Sequence, residues 1–146
     1  GYGPMESYVD KHLAARLALF KTTVTDNFEH YIFPQENGSH YDCRYAAITQ
    51  HTGQGLFFFG DSFSFNASHY ALEHLTAVGH DYDLKPMKET EVFIDYKHSG
   101  VGSNACGPDL PERFRCDDRE FTFSVRILPA FRGNLRPFEE LKKEYK

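Results

Sequence analysis

Tryptophan is absent from this sequence, although it holds 14 phenylalanines and 9 tyrosines. Platforms that stack sugars or single-stranded bases rely on flat aromatic faces, with indole the strongest, so the lack disfavours an autonomous lectin or base-stacking module. Cysteine is sparse, and Cys43, Cys106 and Cys116 form an odd set without CxxC spacing. That is too few for a disulfide framework in a chain able to build its own core, and free thiols in a reducing, cytoplasmic compartment are the expectation. No apolar run approaches the roughly 20 residues that cross a bilayer. The opening GYGPMESYVD has neither a basic n-region nor an apolar h-region, so a soluble chain with no signal peptide and no membrane partner is expected. Positive charge is in deficit, with 16 Lys and Arg against 21 Asp and Glu for a net charge of −5. The acids are scattered, and without a basic stripe a nucleic-acid partner is not expected.

What is present suits one domain. The 146 residues lie within the usual single-domain size, and 40% apolar residues plus 11 glycines fall in the ordinary globular range, so a packed core can form. The phenylalanines read as that core. Two sequons, Asn37-Gly38-Ser39 and Asn66-Ala67-Ser68, would matter only in a secreted protein.

Periodicity favours strands. Phe121, Phe123, Val125 and Ile127 alternate with Thr122, Ser124 and Arg126, predicting a half-buried strand over Phe121–Leu128. Leu56-Phe57-Phe58-Phe59 lacks alternation and reads as a short strand covered on both faces, with Phe63-Ser64-Phe65 following a turn at Gly60-Asp61. Val92, Ile94 and Tyr96 share one face, and Tyr41, Cys43 and Tyr45 alternate with Asp42 and Arg44. Two helices are predicted. Asp10 would cap one with Leu13, Leu17 and Phe20 on a stripe, and Ser68 would cap another with Leu72, Leu75 and Val78, closed by Gly79. Residues 132–146 turn charged and read as a tail, either a frayed helix or a disordered end. The fold class expected is mainly β, antiparallel, with one or two short helices.

Candidates for chemistry are few. His69, His74 and His80 lack metal-ligand spacing, and His80-Asp81-Tyr82-Asp83 lacks the calcium-loop glycine and reads as a solvated loop. Gly1-Tyr2-Gly3-Pro4 and Gly100-Val101-Gly102 lack the strand and helix context of phosphate loops and read as turns. Nothing in the spacing singles out a pair of facing carboxylates. The stretch from His98 to Pro108 combines glycines, a proline and the Cys106 thiol between two strands. Such a composition fits a plain connection or a shaped binding loop equally.

Four strings, taken jointly, resemble the C-terminal domain of glycoside hydrolase family 2 β-galactosidases. They are Gly1-Tyr2-Gly3-Pro4 with Glu6, Tyr8 and Asp10; Tyr31-Ile32-Phe33-Pro34-Gln35-Glu36-Asn37-Gly38 with Arg44; Phe63-Ser64-Phe65-Asn66-Ala67-Ser68 with Tyr70; and Ile94-Asp95 leading to Gly100-Val101-Gly102 and Cys106-Gly107-Pro108. They run in the family's order through residues 1–129, and the sequence departs mildly at Lys11, where the family usually has Arg, and at Tyr45, often Trp. The resemblance implies the second half of a large antiparallel β-sandwich, of the galactose-mutarotase-like supersandwich type. Such a half either folds as a reduced sandwich over residues 1–131 or needs a partner copy.

The resemblance also implies that both catalytic glutamates lie in a (β/α)8 barrel elsewhere in the parent enzyme, with the magnesium and sodium that many members use, and that no cofactor is held here. Its partners would be the parent's remaining domains and, through the parent's active site, a galactoside such as lactose; homo-oligomer formation stays open. One loop would reach the barrel mouth and complete the sugar pocket, and by motif it carries Ser103, Asn104 and Cys106. Glu36, Asn37 and Arg44 are read as a buried polar network that holds a turn. A stand-alone carbohydrate-binding sandwich and a purely structural interaction domain are the competing readings.

Overall fold

The densest aromatic run of the chain becomes the strand that organises the sheet. The computed structural model describes residues 1–100 and 106–131 together with Arg136 and Glu139. Within them β1 (Tyr2–Gly3) pairs with β2 (Arg16–Leu17) as a small antiparallel ribbon. The second sheet joins β3 (His40–Thr49), β4 (Gly55–Ser68), β5 (Glu91–Asp95) and β6 (Arg126–Ala130), all antiparallel. β3 lines one side of β4. On the other side β6 pairs with Gly55–Phe59 and β5 with Ser64–Ser68. The expected mainly β, antiparallel architecture is the one observed, in two sheets. One α-helix, α1 (Leu72–Ala77), and two 3-10 turns, Asp81–Asp83 and Glu112–Phe114, complete the elements among the described residues. No helix among them is long and apolar enough to cross a membrane.

Phe57, Phe58 and Phe59 are all buried, as the absence of alternation predicts for a strand covered on both faces, whereas Leu56, the first residue of the same run, stays 42% exposed. Phe57 and Phe59 pack with Ala130, Tyr45 and Leu128, whereas Phe58 packs with Ala46, Cys43, Phe63 and, less deeply, Val125, Val92 and Ile94. The two clusters use alternate residues of one strand, which is the pleat at work. Tyr45, Phe57 and Phe59 stack at ring separations of 5.6 to 6.2 Å.

Gly60-Asp61 is not a turn. β4 runs straight through it as a bulge: Phe59 pairs with Tyr45 and Phe63 with Cys43, so four steps on β4 face two on β3. The bulge sends Phe59 and Phe63 into different clusters, and splits Cys43 from Tyr45 in the same way, against simple alternation. Glycine is needed there because a Cβ on Gly60 would lie 2.8 Å from the carbonyl oxygen of Ser124.

Other expectations are corrected. The helix after Asp10 does not form: Ala18 N bonds Gly1 O at 3.1 Å and Leu17 pairs with Tyr2, so tertiary pairing overrides the helical spacing and leaves Leu13 80% exposed. The strand at the C-terminal end begins only at Arg126, because Phe121 stacks on Tyr96 at 4.3 Å and stays 55% exposed instead of entering a buried face. α1 does form and buries Leu75, but Ser68 does not cap it; its hydroxyl accepts from Tyr70 N at 2.9 Å, and the helix ends at Val78 without a left-handed Gly79. The charged tail falls almost wholly outside the described residues.

Phe63→Ala is expected to cost about 3–5 kcal/mol, whereas Leu13→Ala stays within about 0.5 kcal/mol. Urea unfolding of both variants checks this, and a large loss at Leu13 would restore the helical stripe.

Candidate functional site

Glu6 is the buried polar centre of the molecule. It follows β1 and points away from solvent. Its carboxylate accepts from the Tyr8 hydroxyl at 2.9 Å, from Lys11 Nζ at 2.6 Å, from the amide of Gly38 at 3.0 Å and from the hydroxyl of Tyr31. Burial acts first and pushes its pKa up, but the bonds from Lys11, Tyr31, Gly38 and Tyr8 together outweigh it and hold the group below its ordinary 4.5. Burial and the carboxylate beside it push the Tyr8 hydroxyl above its ordinary 10. Gly38 must be glycine, since its φ is +78° and a Cβ would lie 2.8 Å from Asn27 O.

Asn37 continues this network. Its Oδ1 accepts from Glu29 N at 2.9 Å, its Nδ2 donates to Gln35 O at 3.0 Å, and its carbonyl accepts from Asn66 Nδ2 at 2.7 Å. Both sequon asparagines are therefore buried and already bonded. Glu36 and Arg44 depart from the expected turn network. Glu36 Oε2 faces His98 Nε2 at 3.7 Å, and Arg44 lies half exposed, 3.5 Å from Asp42.

The segment after β5 is tied back onto the N-terminal turn. Val9 N donates to His98 O at 3.1 Å, and Gly100 N donates to Asp10 Oδ1 at 2.6 Å. The His98 ring meets Tyr8 edge-on at 5.2 Å. Asp95, at the end of β5, has its carboxyl pushed up by burial, with His98 opposing. Cys106 is exposed and free, Cys116 likewise, while burial pushes the Cys43 thiol up to about 11. Ser103 and Asn104 lie outside the described residues. A concavity of about 270 Å³ beside Met5, Glu6, Lys11, Glu29, His30 and Tyr31 is smaller than the roughly 300–1,000 Å³ of ordinary ligand pockets. Asp81 is bonded to His30 at 2.9 Å.

The site thus joins Glu6, Tyr8, Asp10, Asn37 and His98, and sequence reasoning singled out only part of it. Glu6 stood in the matching strings with no role assigned, and Asp10 was read as the cap of a helix that does not form. The partners Tyr31 and Gly38 are 25 and 32 residues from Glu6, and Gly100 is 90 from Asp10, distances that no periodicity spans.

Residues 1–127 match the family described as Beta galactosidase small chain. A β-galactosidase of Staphylococcus xylosus is 43% identical over 127 residues, covering 87% of this chain and 13% of that protein. A β-galactosidase of Actinobacillus pleuropneumoniae is 46% identical over 129 residues, covering 88% and 12%. One of Alteromonas mediterranea is 34% identical over 126 residues, covering 86% and 12%. The chain thus spans 12–13% of the length of these relatives.

Because Glu6 has a lowered pKa when folded, its contribution to stability is complete above its ordinary 4.5 and is lost as pH falls through the lower folded value. Glu6→Gln is expected to cost about 1.5–3 kcal/mol at pH 7, the worth of bonds to a charged group, and to flatten the loss of stability below pH 4.5. Urea titrations between pH 3 and 7 measure both, and an unchanged acid limb in the variant would contradict the assignment.

Proposed function

The chain belongs to the β-galactosidase small-chain family, and from that membership we propose that it is the noncatalytic C-terminal part of a retaining β-galactosidase. The observation that carries the reading is coverage: the match runs through residues 1–127 yet fills only 12–13% of relatives that bear the β-galactosidase name. A retaining mechanism needs an acid/base and a nucleophilic carboxylate about 5–5.5 Å apart across the sugar. The family resemblance assigns both to the barrel, in the remainder of the parent. The magnesium and sodium that the resemblance implies belong to the barrel, outside this chain. Nothing proposed for this chain depends on them.

Its contribution is placement. The segment from Gly100 to Cys106 completes the aglycone side of the parent's pocket, with Ser103 and Asn104 assigned to it by motif alone. The exposure of Cys106 supports this reading, as does the anchoring of Gly100 on Asp10. A thiol offers less contact area than indole, so the aglycone side is roomier than where a Trp stands. The remaining domains of the parent are its partners, and the substrate is a terminal β-galactoside.

Two outcomes are expected. The 146-residue chain by itself gives no turnover of a chromogenic β-galactoside above buffer, and measurable hydrolysis would overturn the noncatalytic reading. In the parent enzyme, Cys106→Trp favours planar or second-sugar aglycones by about 1 kcal/mol, seen in KM with kcat nearly constant. Kinetics on lactose and an aryl galactoside check it, and equal loss on both substrates would remove Cys106 from the pocket.

A further inference from the structure

Asp10 stands in a turn that Tyr8 and Lys11 close with paired backbone bonds, Tyr8 N to Lys11 O at 3.0 Å and Lys11 N to Tyr8 O at 3.1 Å. The side chains of Tyr8 and Lys11 both bond Glu6, so the turn is fixed from within. Across 90 residues, Asp10 Oδ1 accepts the amide of Gly100 at 2.6 Å, a short charge-assisted bond. Val9 N holds His98 O beside it at 3.1 Å. The other oxygen, Asp10 Oδ2, is buried and has no hydrogen-bond partner among the described residues. A buried carboxylate oxygen left without a partner costs stability rather than supplying it. What Asp10 contributes is therefore the position of Gly100, six residues before Cys106 in the sequence.

We propose that Asp10 is a positioning residue of the parent enzyme, acting on the aglycone side of the pocket through Gly100 without touching substrate. The inference rests on the assignment of Cys106 to that pocket. A residue that sets the placement of a binding segment changes the binding of substrate and transition state alike, so it moves KM while kcat holds. Asp10→Asn keeps an acceptor oxygen at the same reach, whereas Asp10→Ala removes it. Gly100→Ala reaches the same contact from the other side, because its Cβ would stand 2.9 Å from Asp10 Oδ1.

The test uses the full-length enzyme carrying Asp10→Ala, Asp10→Asn, Gly100→Ala or Cys106→Trp. Amide hydrogen exchange at Gly100 is read in the wild type and the Asp10 variants, with KM and kcat for lactose and an aryl galactoside in all. Expected for Asp10→Ala are exchange at Gly100 about 10-fold faster and KM for lactose raised about 5-fold with kcat within about 2-fold. Asp10→Asn recovers most of the wild-type KM, and Gly100→Ala reproduces the rise. Unchanged exchange at Gly100 overturns the proposal, as does a fall of kcat on both substrates in step with the thermal midpoint and without rescue by Asn. Faster exchange with unchanged KM, while Cys106→Trp still shifts aglycone preference, overturns the positioning role and leaves the pocket assignment standing. If Cys106→Trp moves no KM either, the pocket assignment itself fails and the positioning role falls with it.

Discussion

A carboxylate taken out of water stays ionised only where enough donors replace the lost hydration, and Glu6 finds its donors on three separated stretches of chain. Tyr8 and Lys11 come from the turn after it, Tyr31 from the long connection before β3, and the Gly38 amide from the approach to that strand. Each donor alone is a modest bond. Together they fix the turn 8–11 against the start of the large sheet, and Ser7 N to Ser39 O at 2.7 Å closes the same junction through backbone. Because Lys11 is largely solvated, its ion pair with Glu6 contributes little by charge alone; the buried hydroxyl and amide donors carry more of the constraint.

From that junction the constraint runs outward. The turn presents Val9 N and Asp10 Oδ1 to His98 and Gly100, so the end of β5 and the chain beyond it are registered on the N-terminal turn. β5 is in turn registered on β4 by its pairing with Ser64–Ser68. The aromatic strand and the Glu6 network therefore meet at one place, the stretch from the end of β5 to Gly100.

The sequence was legible where burial decides the pattern. Val92 and Ile94 share a face of β5, Leu75 anchors α1, and Phe57, Phe58 and Phe59 are buried on both faces of β4, as their types and spacing require. It misled where a tertiary partner competes with local periodicity. The Leu13 and Leu17 stripe has helical spacing, yet Tyr2 pairs with Leu17, and Phe121 has a strand pattern, yet Tyr96 offers a ring to stack on. The bulge at Gly60 was invisible because a glycine followed by Asp reads as a turn unless the approach of Ser124 is known. The same limit applies to the site. Asn37 was placed in a polar network correctly, but Glu6, the centre of that network, has partners too distant in sequence for any spacing rule to connect.

On the function proposed here, this chain supplies structure, and no chemistry, to a β-galactosidase. The most direct test of that role is to prepare the parent polypeptide without the stretch matching residues 1–127 and to titrate the separately purified chain into it while following galactoside hydrolysis. Little activity from either component alone and saturable recovery as the chain is added are expected. Full activity from the remainder without the chain, or turnover that rises with the chain alone, would contradict that role.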